Sequence, residues 1–123
     1  MSQEQLNEAM KRFDRLIAKM EENLQLRNKL VTQQNENEAV AKELSCLDDD
    51  SVLYKIVGPV LVRQTRVDAT ATVTKRLDYI RGELQRCDKL DEEMKVQVKE
   101  STQRIEALQK KMLDREKQRS GRI

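Results

Sequence analysis

The sequence predicts a mainly α-helical chain, a long antiparallel coiled-coil hairpin with one short β-hairpin at its bend that joins strands of other subunits in a shared sheet or β-barrel. Three observations lead there. Charged residues make up 37% of the 123 residues and aromatics 2%, with three glycines and one proline. That is too few large apolar side chains for an ordinary globular core, but it suits polar-faced helices meeting along a narrow seam. The second half of the chain carries a sustained heptad pattern, and the middle switches from a period near 3.5 to a period of 2.

The heptad signal runs through Val73, Leu77, Ile80, Leu84, Cys87, Asp91, Met94, Val98, Ser101, Ile105, Leu108 and Met112, in alternating steps of four and three. Ten of these twelve are apolar, and the residues between them are mostly Lys, Arg, Glu, Asp and Gln. Asp91 and Ser101 break the seam, and polar seam residues either set register or loosen the coil. The first half repeats the pattern through Leu6, Met10, Phe13, Ile17, Met20 and Leu24. Its phase then slips through Leu26, Leu30 and Val31, and a polar stretch from Thr32 to Glu38 follows. Val40, Leu44 and Leu47 resume a helical stripe. These patterns predict helices over about 3–46 and 66–118, with a β-hairpin over about 52–65, in a single domain over 1–123.

Between the helices, the segments 51–57 and 60–65 are rich in β-formers, and Gly58-Pro59 separates them as a tight turn. Asp48-Asp49-Asp50 ends the first helix. Thr65 followed by Asp68 resembles a capping box opening the second, with Asp in place of Glu. A lone two-stranded hairpin is marginal in water and has two open edges. This one carries Val52, Leu53, Tyr54, Ile56, Val57, Val60, Leu61 and Val62, too many apolar residues for one buried face. A single copy cannot cover its own bend, so these eight residues are the expected subunit-assembly surface.

No catalytic chemistry is legible. There is no histidine among the 123 residues, which removes the commonest general base and zinc ligand. Gly58, Gly82 and Gly121 stand alone, so no phosphate loop forms. The three acids at 48–50 lack the alternating oxygen ligands of a calcium loop. Cys46 and Cys87 form no redox or zinc spacing, and Cys87 reads as a small apolar seam residue. Catalytic, cofactor-binding and metal residues are all expected to be absent, and the chain is expected to bind proteins without being an enzyme.

The net charge of +2 argues against a dedicated nucleic-acid binder. It is uneven: residues 36–50 hold six acids and one base (−5), and residues 110–123 hold six bases and two acids (+4). No run of about 18 apolar residues suggests a membrane span, and charges interrupt the N-terminal stretch where a signal peptide would be apolar. With unpaired cysteines, this points to a cytoplasmic location with no membrane or nucleic-acid partner. At the helix ends opposite the bend, Leu6, Met10, Phe13, Ile105, Leu108 and Met112 are the candidate surface for an outside chain. Flexible Met side chains suit an adaptable contact.

The segment Lys55-x-x-Gly58-Pro59-Val60-Leu61-Val62-x-Gln64 resembles the prefoldin family, and its β class in particular. The resemblance continues through Ala69-x-x-Thr72-Val73-x-Lys75-Arg76-Leu77-Asp78-Tyr79-Ile80-x-x-Glu83 and, upstream, Gln33-x-x-Glu36-Asn37-x-x-Val40-x-x-Glu43-Leu44. It covers roughly residues 33–86, and the three acids at 48–50 depart from it. It implies a heterohexamer of α-class and β-class prefoldin subunits whose hairpins form a double barrel. The implied activity is ATP-independent capture of unfolded actin and tubulin and their delivery to the cytosolic chaperonin. A coiled-coil scaffold or tether without chaperone activity is the alternative, and the apolar hairpin speaks against it.

Overall fold

Helix α1 (Ser2–Ser45), strands β1 (Leu53–Val57) and β2 (Val60–Gln64) and helix α2 (Arg66–Gly121) follow one another along the chain. The computed structural model describes residues 2–121. Two long helices with an antiparallel β-hairpin between them are the expected architecture. The chain divides into a central unit, Leu26–Arg86, and a terminal unit built from the residues up to Gln25 and from Cys87 onward.

In the central unit, α1 ends where its last turn tightens. The amides of Cys46 and Leu47 reach back three residues to the carbonyls of Glu43 and Leu44, at 3.1 and 3.4 Å. A turn through the acidic link follows, closed by the Ser51 amide on the Asp48 carbonyl at 3.0 Å. Arg66 spans this link: its guanidinium donates to the Asp49 carboxylate at 3.1 Å and to the Ser45 carbonyl at 3.3 Å. One of the three acids thus joins the end of α1 to the start of α2. The Thr65 hydroxyl accepts from the Asp68 amide at 3.1 Å, which is the N-cap half of the predicted capping box.

The hairpin pairs Leu53 with Gln64 and closes with Val57 opposite Val60. Gly58 has φ of 57°, a left-handed value that L residues rarely adopt. Glycine there, followed by proline, matches the two-residue type II′ connection whose twist suits adjacent strands. Below the hairpin, Leu44, Ala69, Val73 and Leu77 form a buried cluster, with Ala41, Leu47 and Leu53 packed against it.

In the terminal unit the two helical segments run antiparallel. The Arg115 guanidinium donates to the Ser2 hydroxyl at 2.7 Å, and the Asn23 amide donates to the Cys87 carbonyl at 2.9 Å. The buried seam consists of Ala9, Leu16, Asn23, Cys87, Met94, Ser101 and Leu108. These are mostly small or slender residues, and no side chain among the described residues is fully buried. Such a seam holds two helices together but makes a thin core.

All twelve heptad positions predicted in α2 are buried or half-buried, and from 73 to 121 only Glu83 joins them. Asp91 holds its seam position half-buried, with its carboxylate partly exposed and accepting from Lys95 Nζ at 3.0 Å. That hydrogen bond, then the charges of Asp91 and Glu92, raise the Lys95 ammonium above its ordinary pKa.

The predicted phase of α1 needs correction. Met10, Ile17 and Leu24 are exposed, and the seam instead passes through Leu6, Ala9, Phe13, Leu16, Met20 and Asn23. Apolar pairs at 9/10 and 16/17 let either stripe be read from the residues. The observed stripe keeps its steps of three and four through Arg27, Leu30, Gln34, Asn37, Ala41 and Leu44, all buried or half-buried. The alternative stripe would have reached Glu38. Asn23 is admitted because the Cys87 carbonyl satisfies its amide, so the apparent slip near Leu26 does not occur.

Candidate functional site: an uncovered hairpin

In an antiparallel pair, directly opposed residues share a face and successive residues alternate between faces. The observed register therefore places Leu53, Lys55, Val57, Val60, Val62 and Gln64 on one face, and Tyr54, Ile56, Leu61 and Arg63 on the other. Of the eight residues expected to form an assembly surface, only Leu53 is partly covered, against the Leu44–Val73 cluster of its own chain. The other seven are exposed, with Ile56 at 76% and Leu61 at 63%. Both faces carry uncovered apolar side chains, and among the described residues the outer edges of β1 and β2 have no strand beside them. Contiguous exposed apolar surface of this kind marks an interaction site, and open strand edges accept another strand.

The six residues predicted to meet an outside chain lie in the terminal unit and differ in access. Met10 is exposed at 47%, whereas Leu6, Phe13, Ile105 and Met112 are half-buried in the seam. Leu108 is 7% exposed and reaches another molecule only if the helices part. The phase correction adds Ile17 and Leu24, which extend Met10 into an exposed stripe at heptad spacing along α1. Spacing alone places both in the seam. Of the basic C-terminal stretch, Arg122 and Ile123 lie outside the described residues.

Two further exposed features carry no periodic signal. Tyr79 is 68% exposed and borders a shallow depression with Gln33, Asn37, Lys75, Arg76 and Ile80. At the foot of the hairpin, a groove of about 220 Å³ is floored by Val40, Leu44, Leu53 and Val73 and rimmed by Lys55 and Arg76. An apolar groove between a strand and a helix leaves no periodic mark, so only the charges at 55 and 76 could have hinted at it. No helix among the described residues is long and apolar enough to cross a membrane. No group of three potential metal ligands occurs among the same residues.

Comparison with known proteins adds a second line of observation. A family model described as prefoldin subunit matches residues 3–115. Prefoldin subunit 6 of Arabidopsis thaliana is 42% identical over 90 residues, covering 73% of this chain and 70% of that protein. Prefoldin subunit 6 of Homo sapiens is 35% identical over 107 residues, covering 87% and 83%. The crystal structure of the prefoldin beta subunit from Thermococcus strain KS-1 superposes with a TM-score of 0.77 at 21% identity. That match covers 84% of this chain and 90% of the other.

Proposed function

The chain belongs to the prefoldin subunit family, and we propose that it serves there as a β-class subunit of a heterohexameric cochaperone that captures unfolded proteins without ATP. The observation that carries this reading is the hairpin with uncovered apolar side chains on both faces. Burying seven such side chains against neighbouring strands would stabilise an assembly by several kcal/mol, at ~25 cal/mol per Å² of apolar surface removed from water. Closing the sheet with strands of α-class and β-class prefoldin subunits would also remove its open edges.

In this reading the terminal unit meets the clients, with nascent actin and tubulin as the expected ones, before their transfer to the cytosolic chaperonin. Exposed Met10, with Ile17 and Leu24 along the same helix, supports an adaptable apolar contact. Phe13 and Met112 join it where the thin seam opens. Lys110, Lys111, Arg115 and Arg119 supply a positive field toward acidic clients. Nothing in this mechanism calls for catalysis, and its expected place is the cytoplasm.

Co-expression with an α-class prefoldin subunit tests the proposal. Native mass should show a mixed oligomer that suppresses aggregation of denatured actin in the absence of nucleotide. A monomer or dimer with no holding activity would leave a coiled-coil scaffold as the better description.

A further inference from the structure

We propose that the hairpin and the groove at its foot select a neighbouring strand that carries carboxylates, and reject a second copy of this chain. The inference rests on the assembly reading above and adds the chemistry of the neighbour.

Residues 51–65 contain two charged side chains, Lys55 and Arg63, and no acid. The register places them on opposite faces of the hairpin, so each apolar face carries one cation. Neither enters an ion pair among the described residues. Lys55 also rims the groove at the hairpin's foot together with Arg76, and no carboxylate lines that groove. Of the three acids in the link before β1, Asp49 pairs with Arg66, and neither Asp48 nor Asp50 forms an ion pair with Lys55 or Arg63 among the described residues.

A strand docking on this surface buries Ile56, Leu61 and their neighbours, and it strips water from Lys55 or Arg63 as well. A desolvated cation is costly unless an anion meets it, and this chain supplies none at the hairpin. The hairpin of a second copy brings two more cations and no acid of its own, and the copy's nearest acids, Asp48–Asp50, lie in the link before β1 and not on the sheet. If β1 paired antiparallel with β1 of a copy in full overlap, Lys55 would face the copy's Lys55, and directly opposed like charges destabilise a sheet. Charges on an open strand edge are a general device against like-with-like pairing. The partner that fits is therefore a different chain, with apolar residues for the faces and Asp or Glu within reach of Lys55, Arg63 and Arg76.

A charge-reversed copy of this same chain, Lys55→Glu/Arg63→Glu, serves as the acidic probe. Native mass spectrometry is run on the wild type alone, the reversed variant alone and an equimolar mixture, with helix content checked by circular dichroism. Mixed species should form with an affinity roughly tenfold or more above either chain alone, and salt should weaken them. The neutral variant Lys55→Met/Arg63→Met should self-associate where the wild type does not. Wild type that self-associates as strongly as the neutral variant, or a mixture no tighter than its components, overturns the inference.

A parallel measurement of incorporation with the other prefoldin subunits separates the two readings. If Ile56→Asp/Leu61→Asp blocks incorporation while charge reversal leaves it unchanged, assembly through the hairpin stands and the acidic neighbour is refuted. If neither change affects incorporation, the assembly reading itself fails.

Discussion

The helical seams and the hairpin handle the same kind of side chain in opposite ways. Along α2, every predicted seam residue finds cover within its own chain, from Val73 to Met112. In the hairpin, seven of eight predicted apolar residues find none. The difference follows from geometry. A helix gathers its apolar residues on one stripe, which a second helix of the same chain can cover. A two-stranded sheet shows two faces and two edges, and two helices leaving one end of it cannot cover them all. The seams hold the chain together, and the hairpin leaves it incomplete.

The largest effect should come from making the hairpin permanently polar. Ile56→Asp/Leu61→Asp introduces two charges where the neighbours' strands would pack, at several kcal/mol each if buried unpaired. Native mass should show loss of the mixed oligomer at micromolar concentration, with helix content unchanged. If the oligomer survives, the hairpin is not the assembly surface, and the contrast with the seams loses its meaning.

Cavity-forming changes in the seams come next. Leu77→Ala, in the cluster with Leu44, Ala69 and Val73, should cost about 2–3 kcal/mol in chemical denaturation. The phase of α1 can be tested with adjacent residues: Leu16→Ala should cost about 2 kcal/mol, and Ile17→Ala no more than about 0.5 kcal/mol. Equal losses at 16 and 17 would mean that the helix samples both stripes.

A smaller loss than at Leu77 or Leu16 is expected at the buried polar position, Asn23. Asn23→Ala removes the hydrogen bond to the Cys87 carbonyl and should cost about 1 kcal/mol. Asn23→Leu should raise the melting temperature while relaxing the register, as a buried polar residue trades stability for alignment. Spin-label distances across the terminal unit would report that relaxation as a broadened distribution.

Much of the architecture was legible in the residues because the relevant signals are local. The heptad repeat of α2, a Gly-Pro turn and a Thr cap act over seven residues or fewer, and each forms where its residues predict. The stripe of α1 was not legible, because Ala9 beside Met10 and Leu16 beside Ile17 leave two phases open to a reader of one helix. The partner helix decides between them, by covering Ala9 and Leu16 and by offering a carbonyl to Asn23. The graded access of the terminal residues was hidden for the same reason: Met10 and Leu108 are equally apolar, yet one is exposed and the other buried.

The sequence by itself determined that there would be two helices, a reversing hairpin between them, and more apolar strand surface than one chain can bury. Composition and period are properties of the string, and they need no knowledge of what lies opposite. Only the tertiary structure decided which α1 residues face the seam, which hairpin residues stay uncovered, and that Lys55 and Arg76 meet at one groove. Those outcomes depend on contacts between residues far apart in the chain, and no local pattern encodes which surface another surface will cover.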